Sequence, residues 1–260
     1  MKIAIIGGGN LGTAIAQGLL SSKFCEAQNI TVTKRNIDTI YHLQKLGVQV
    51  YIDNVQATVQ NEVIILAIKP FQIKEILTEI KPFITDKHLL ISVVTGINLE
   101  EIKSIIGNNI TIYRAMPNTA IAIQQSITCL SSTNASETQK IFTKNLFNTL
   151  GKTVDIDEKL MNAATVLGAC GTAYAMRYIR ANIQAGIEIG FDAATASLIA
   201  SQTVKGAAEL LLTKNTHPEQ EIDKVTTPKG CTIAGLNEME HQGFSSAIIK
   251  GIAASFNKIA

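Results

Sequence analysis

Short, uninterrupted apolar runs recur along the first 156 residues of this 260-residue chain. Such runs are typical of strands covered on both faces of a sheet, because both faces must then be apolar. Predicted strands lie at residues 3–6, 29–33, 63–68, 89–94 and 110–113, and further strand-like segments at 48–50, 126–130 and 153–156 extend the series. Segments that are predicted to be helical lie between them, at residues 36–47, 71–80, 99–106 and 136–150. Strands alternating with helices predict an α/β fold with a doubly wound, mostly parallel sheet.

The pattern changes beyond Asp157, where strand-like runs give way to long alanine-rich helical segments. These segments cover residues 158–189, 193–214 and 232–260. The sequence therefore predicts an α/β domain over residues 1–156 and an all-α domain over residues 157–260. Small residues at 163–169 and 193–208 permit close helix packing, so we expect a homodimer or a larger homo-oligomer built by the second domain. An ordinary monomeric bundle is the alternative.

Charge and composition narrow the classes of function. Lys and Arg total 23 against 21 for Asp and Glu, and the net charge of +2 provides no electrostatic footprint for nucleic acid or a membrane surface. The longest uncharged apolar run, residues 160–176, contains Asn162, Thr165 and Thr172, so we interpret it as a core or interface helix. No signal-peptide pattern opens the chain, and we expect a cytoplasmic protein. The four cysteines and four histidines show no metal-ligand spacing, and we expect no metal site.

A glycine-rich motif follows the first apolar run and opens the first helical segment. Gly7, Gly9 and Gly12 form the pattern G-x-G-x-x-G, with Asn10 and Leu11 between the last two. Gly7 suits a tight turn, Gly9 lets backbone N–H groups approach a pyrophosphate, and Gly12 lets the helix lie close to the sheet. This context predicts a Rossmann-type, dinucleotide-binding first domain. The alternative is a tight strand-to-helix turn without a ligand.

The turn after the second predicted strand bears on which dinucleotide binds. NAD-specific folds place an acidic residue there for the ribose 2′-hydroxyl, but residues 27–37 contain neither Asp nor Glu. Lys34 and Arg35 lie there instead, and their charges suit a 2′-phosphate. The sequence therefore favours NADPH, with NADH possible. Alternatively the two side chains are solvated turn charges; Asp38 is a weaker ribose ligand, because Asn36 is interpreted as the cap of the next helix.

Further loops follow the predicted strands, at the sheet edge where ligands bind in such folds. Each is polar or turn-forming directly after apolar sequence, and we expect each to contact the cofactor. The residues expected to contact it are Asn54, Ala67, Lys69, Pro70 and Asn118. Alternatively the prolines only end strands, and Asn118 only caps a turn.

A second unusual loop lies late in the helical half. It contains Thr227, Lys229, Gly230, Cys231 and Thr232 and leads into a helix. A Thr/Pro/Gly loop that opens a helix presents unpaired backbone N–H groups, which can hold a carboxylate without an arginine. We expect Thr232 to be both the helix cap and a hydrogen-bond donor to substrate. Helix capping alone is the alternative.

Together these motifs resemble the pyrroline-5-carboxylate reductase family over essentially the whole chain. The resemblance is carried by residues 7–11, 66–70, 114–119 and 173–174 and by the loop 227–233, which is similar to the family's Ser-Pro-Gly-Gly-x-Thr. It implies hydride transfer from a nicotinamide cofactor to 1-pyrroline-5-carboxylate, giving L-proline. It also implies that Thr227 and the backbone of residues 229–232 hold the substrate carboxylate, that Thr232 lies by the ring nitrogen, and that Asn54 contacts the cofactor.

The chain departs from the family pattern at several positions. Residues 168–174 replace the usual Ser-Gly-Ser-Gly-Pro-Ala-Tyr, Ala120 replaces a proline, and Lys229 replaces a glycine. If position 229 needs a positive φ, lysine costs about 1–2 kcal/mol there. These departures leave two alternatives open: a degenerate member that serves as a nucleotide-binding or assembly protein, and a related imine or hydroxyacid reductase.

Overall fold

The computed structural model describes residues 1–107 and 109–259. The first part of the chain contains one mixed eight-stranded sheet. Its strands are β1 (Ile3–Ile6), β2 (Ile30–Thr33), β3 (Gln49–Tyr51), β4 (Val63–Leu66), β5 (Leu89–Ser92), β6 (Thr111–Met116), β7 (Ser126–Thr133) and β8 (Gly151–Asp155). The spatial order is β3-β2-β1-β4-β5-β6-β7-β8. Neighbouring strands are parallel except β6 and β7, which pair antiparallel. The strand order reverses beside β1, between β1 and β4, so a ligand crevice is expected at the carboxyl end of β1.

Six helices connect the strands of this sheet. They are α1 (Asn10–Ser21), α2 (Tyr41–Lys45), α3 (Asn54–Val59), α4 (Ile73–Ile80), α5 (Leu99–Ile106) and α6 (Glu137–Asn148) within the described residues. Residues of the central strands alternate between two apolar clusters, one on each face. Ile3 and Ile5 of β1 pack with α1 and α6 on one face, whereas Ala4 and Ile6 pack with α3, α4 and α5 on the other. Burial on both faces explains the continuous apolar runs.

The chain continues as helices after β8. These are α7 (Met161–Ala164), a π-helical turn (Thr165–Cys170), α8 (Gly171–Glu188), α9 (Ala193–Lys214), α10 (Pro218–Val225), α11 (Cys231–His241) and α12 (Phe244–Ile259). The chain divides into two compact units, Met1–Cys170 and Gly171–Lys258. The strand-to-helix change therefore falls near the expected residue 156, while the division between compact units falls later, at the end of the π-helical turn. No helix in the described part of the chain is long and apolar enough to cross a membrane.

The predicted α/β architecture is confirmed, and three details of the prediction were wrong. The segment 158–189 is not one regular helix, because the π-helical turn interrupts it. The segment 232–260 is two helices separated at Gly243, whose φ of 78° ends the first of them. The helix α10 was not expected; Pro218 occupies its first turn and the His217 ring accepts the N–H of Glu219. Apart from Pro218, only Ile222 and Val225 are apolar in this helix, so no helical period of apolar residues marks it in the sequence.

Candidate functional site

The glycine loop between β1 and α1 is held against the end of β2. The carbonyl of Thr33 accepts the N–H groups of Gly7 at 3.2 Å and Gly8 at 2.7 Å. Gly7 has a φ of 110°, so this turn requires a residue without Cβ. The first helical residue is Asn10, and Gly9 provides the N-cap without any side-chain hydrogen bond. The N–H groups of the first turn of α1 therefore remain available to an anion.

Gly9 and Gly12 have the two different roles that their spacing predicts. A Cβ on Gly9 would meet nothing within 4 Å, so the space beside its backbone is open to a ligand. A Cβ on Gly12 would overlap the carbonyl oxygen of Gly7. Gly12 thus permits the close approach of α1 to the end of β1, and this approach directs the helix N-terminus toward the crevice.

A cleft of about 710 Å³ opens beside this loop. Most of the residues predicted from the sequence to contact a cofactor line it: Gly7, Gly9, Asn10, Leu11, Lys34, Arg35, Asn54, Ala67, Lys69 and Pro70. Its other walls include Ile52, Gln72 and Val93 to Thr95. A volume of this size suits a nucleotide-sized ligand. The predicted strand-end loops therefore converge on one cleft, and these residues fit a dinucleotide.

The charged side chains lining the cleft are all cationic. They are those of Lys34, Arg35 and Lys69, and no Asp or Glu is among the described lining residues. Lys34 is half-buried, and its backbone N–H donates to the backbone carbonyl of Tyr51 at 3.0 Å, whereas Arg35 is exposed. Neither Lys34 nor Arg35 forms an ion pair with any residue that the structure describes. Both side chains are therefore available to bind a phosphate. As expected, the Asn36 side chain accepts the N–H of Asp38 and caps the next helical turn.

The Asn54 side chain is positioned by two neighbours. Its Oδ1 accepts the Thr33 hydroxyl at 2.7 Å, and its Nδ2 donates to Glu79 at 3.1 Å. The Thr33 hydroxyl also accepts the N–H of Gly7 at 3.3 Å. A short polar network therefore joins Asn54 to the glycine loop.

Asn118 differs from the other predicted cofactor contacts. Its Oδ1 accepts the N–H of Ala120 at 3.0 Å, and its Nδ2 donates to the carbonyl of Gly168 at 3.1 Å. The cap of the following turn (Thr119–Ile123), the alternative open from the sequence, is thus present. Asn118 is not among the residues that line the cleft, although its neighbour Thr119 is.

The loop before α11 lies in the second compact unit and forms a tight turn. The N–H of Gly230 donates to the carbonyl of Thr227 at 2.9 Å, and a Cβ on Gly230 would lie 2.5 Å from the Thr227 hydroxyl. Lys229 has a φ of 60°, so the backbone strain that was expected for a lysine at this position is present. The helix begins at Cys231 with Gly230 as its N-cap. No side chain caps it, so its first N–H groups are open to a carboxylate.

The expectation that Thr232 caps this helix was wrong. Gly230 has the extended backbone of an N-cap, with φ −72° and ψ 159°, and Thr232 is the second residue of the helix. The Thr232 side chain is exposed. The sequence alone does not decide between the two positions, because Thr and Gly are about equally favoured as N-caps. The Thr232 hydroxyl therefore does not cap this helix.

Sequence reasoning missed several contributors to the cleft, and two of them had a signal in the sequence. Thr33 connects the glycine loop to Asn54, and the signal was a polar residue at the end of an apolar strand. Ile52 lines the cleft with 63% of its surface exposed, and the signal was an apolar residue just beyond a short strand. Among the described residues, no group of three His, Cys, Asp or Glu side chains could hold a metal ion.

Both the sheet region and the helical region of this chain are similar to known proteins. Residues 2–96 match the family model described as NADP oxidoreductase coenzyme F420-dependent, and residues 158–260 match the one described as pyrroline-5-carboxylate reductase dimerisation. Pyrroline-5-carboxylate reductase 2 of Dictyostelium discoideum is 43% identical over 99% of this chain and 91% of its own length. The chain belongs to the pyrroline-5-carboxylate reductase family. Pyrroline-5-carboxylate reductase 1 of the same organism is 48% identical over 99% of this chain, which spans only 49% of that relative.

The fold agrees with this family assignment. A crystal structure of Plasmodium falciparum pyrroline carboxylate reductase with NADP bound superposes with a TM-score of 0.91. The two chains are 26% identical, and the match covers 99% of this chain and 96% of the other. The order of a Rossmann-type sheet followed by a helical region is thus that of pyrroline-5-carboxylate reductases.

The glycine loop can be tested by two alanine substitutions. Gly12→Ala forces α1 away from the Gly7 carbonyl, so we expect a lower melting temperature and at least tenfold weaker NADP⁺ binding. Gly9→Ala places its methyl group in open space at a φ of −78°, so the melting temperature should stay at the parent value while NADP⁺ binding weakens. Thermal denaturation and fluorescence titration measure the two effects. Parent-like NADP⁺ affinity in both variants would contradict this role of the loop.

Proposed function

We propose that this chain reduces 1-pyrroline-5-carboxylate to L-proline with NADPH as the preferred hydride donor. The observation that carries the proposal is that a chain matching this family from end to end keeps both the open glycine loop with its cationic cleft and the uncapped start of α11. A nicotinamide cofactor, when bound, supplies the hydride that the C5 carbon of the ring imine accepts. The protein supplies binding and orientation.

The residues have separate tasks in this proposal. The N–H groups at the start of α1 hold the pyrophosphate, and Lys34 and Arg35 hold the 2′-phosphate. The backbone N–H groups of Lys229, Cys231 and Thr232 and the Thr227 hydroxyl bind the substrate carboxylate, whereas the N–H of Gly230 already donates to the carbonyl of Thr227. The Thr232 hydroxyl orients the ring nitrogen. Because a ring imine takes its proton from water, no side-chain acid is required, and residues 226–230 contain no Asp, Glu or His.

A degenerate, non-catalytic member is the second candidate. The altered residues 168–172 favour it, because most of them lie in the π-helical turn, and such turns are frequent at functional sites. A hydroxyacid reductase would be expected to place a lysine or aspartate base in the long helical segment 158–189, in which Lys159 is the only lysine. Lys159 at its start is exposed and paired with Asp157 at 3.0 Å, so nothing in its surroundings favours that role.

The activity is tested by following NADPH oxidation with 1-pyrroline-5-carboxylate in the parent and in two Thr232 variants. Thr232→Val removes the hydroxyl at nearly constant volume, and we expect kcat to fall by about 2- to 12-fold, equivalent to about 0.5–1.5 kcal/mol, with unchanged NADPH affinity. Thr232→Ser keeps the hydroxyl and should retain most of the activity. An inactive parent would support the degenerate alternative. Equal activity of both variants would contradict the proposed role of the Thr232 hydroxyl.

The preference for NADPH is tested at Arg35. Removing one charge-assisted contact costs about 1.5–3 kcal/mol, and the exposed position of Arg35 places the effect at the lower end. We expect Arg35→Ala to weaken NADPH binding about tenfold and to leave NADH binding unchanged. Lys152→Ala, an exposed lysine in β8, is the control and should change neither affinity. Equal losses for both cofactors at Arg35 would contradict the assignment.

We further propose that the functional unit is a homodimer formed by the helical half. Within Gly171–Lys258 only Ala196 and Ala200 are buried in the single chain. Large apolar side chains are exposed instead, among them Met176, Ile189, Leu198, Leu212 and Ile249, each at 61% or more. Such a surface exceeds what a soluble monomer ordinarily leaves in water. A second copy of this chain, joined through this region, would supply the missing core.

Sedimentation velocity tests the dimer. Leu198→Glu places a charge on the exposed apolar surface of α9, and we expect it to dissociate the parent dimer or to cause its aggregation. Ile141→Glu is the matched control, because this exposed isoleucine of α6 lies outside the helical half and should leave the sedimentation coefficient unchanged. A parent that sediments as a fully active monomer at micromolar concentration would contradict the proposal.

A cytoplasmic location remains part of the proposal. The four cysteines of the chain, Cys25, Cys129, Cys170 and Cys231, are all free thiols, as a reducing compartment maintains them. Burial raises the pKa of the Cys25 and Cys129 thiols, which makes both less reactive at neutral pH. The expectation that the chain binds no nucleic acid stays a prediction.

A further inference from the structure

Strand β6 contains a buried cation that the proposed reaction does not use. Arg114 is 4% exposed, and its Nη1 lies 3.3 Å from Oε1 of Glu158. Its Nε and Nη2 have no partner among the described residues. A buried arginine with unsatisfied donors is costly, and replacing a buried ion pair by apolar residues is often neutral or stabilising. Stability alone therefore does not account for the pair.

Glu158 makes a second contact through the same oxygen. Its Oε1 accepts the N–H of Leu99 at 2.5 Å, and Leu99 is the first residue of α5. The Asn98 side chain also caps this helix, in a reciprocal arrangement with Glu101. Glu158 thus links the start of α5 to Arg114 in the sheet.

The segment between β5 and α5, which we call the β5–α5 loop (residues 93–98), is anchored by these contacts at its far end. At its near end, Ser92 is the register partner of Arg114, and its hydroxyl accepts the N–H of Val94 at 3.3 Å. Val93, Val94 and Thr95 line the cofactor cleft. The loop that forms one wall of the cleft therefore depends on Arg114 and Glu158 for the position of its far end.

We propose that the Arg114–Glu158 ion pair positions the β5–α5 loop for hydride transfer in the reaction proposed above, on which this inference rests. Both are positioning residues in this account, acting through Leu99 and the loop. A misplacement of about 1 Å in a reacting group can cost on the order of 100-fold in rate. The pair should therefore affect turnover more than it affects cofactor affinity, because phosphate binding is assigned to the other loops of the cleft.

The test compares four variants with the parent. Arg114→Met combined with Glu158→Leu removes both charges at similar volume, so no unpaired charge remains in the interior. Glu158→Gln keeps an oxygen acceptor for both donors. Arg114→Lys keeps the buried charge but loses the planar guanidinium. Lys159→Met is the control, since it removes the neighbouring but exposed ion pair with Asp157.

Three quantities are measured: kcat with 1-pyrroline-5-carboxylate, the dissociation constant of NADPH, and hydrogen–deuterium exchange of the loop amides in the protein without ligands. In the double variant we expect kcat to fall 10- to 100-fold, the NADPH dissociation constant to change less than threefold, and loop exchange to accelerate at least tenfold at a parent-like melting temperature. Arg114→Lys should change kcat and exchange in the same direction by smaller factors. Glu158→Gln keeps an acceptor for Leu99 but leaves Arg114 without a counter-charge, so it should change kcat and exchange by intermediate factors, whereas Lys159→Met should match the parent.

Parent-like kcat and parent-like loop exchange in the double variant overturn the proposal. If the double variant does not fold, Arg114→Lys decides by the same two measurements. Exchange that accelerates throughout the chain together with a lower melting temperature also overturns it, because the pair would then be structural only. A parent without activity would refute the proposed reaction instead, whereas the exchange measurement would still test whether the ion pair holds the loop.

Discussion

The close approach of α1 to the end of β1 is the constraint on which the site depends. A Cβ on Gly12 would overlap the carbonyl oxygen of Gly7, so the helix can reach this position only because residue 12 has no side chain. The approach directs the uncapped N–H groups of α1 at the crevice where the strand order reverses. The Thr33 carbonyl and hydroxyl hold the loop from the β2 side. The glycine loop, the start of α1 and the crevice at the end of β1 therefore form one site that can bind a phosphate.

The two halves of the chain differ in how they obtain a core. The sheet buries both faces within one chain, with Ile3 and Ile5 on one side and Ala4 and Ile6 on the other. The helical region buries almost nothing alone, which is why we assign it to association with a second copy. The loop before α11 belongs to this region, so its geometry would be coupled to assembly. Association and substrate binding are linked in this account.

Most of the fold could be predicted because burial on two faces leaves a strong periodic signal. The strand positions followed from apolar runs, and the cofactor cleft followed from the glycine spacing and from polar residues after strands. Features set by single backbone angles could not be predicted. Gly230 displaced Thr232 from the cap, and the π-helical turn and the break at Gly243 interrupted apparently continuous helices. The partners of Asn118 and Arg114 depend on tertiary contacts with residues more than 40 positions away, which no local pattern encodes.

Direct hydride transfer from a reduced nicotinamide to a ring imine is the reaction that we propose for this chain. The most direct measurement uses NADPH carrying deuterium at C4 on the transferred face, with 1-pyrroline-5-carboxylate as the acceptor, and determines the mass of the product. We expect proline that is one mass unit heavier, with the deuterium at C5. Formation of unlabelled proline, or oxidation of the cofactor without any proline, would contradict it.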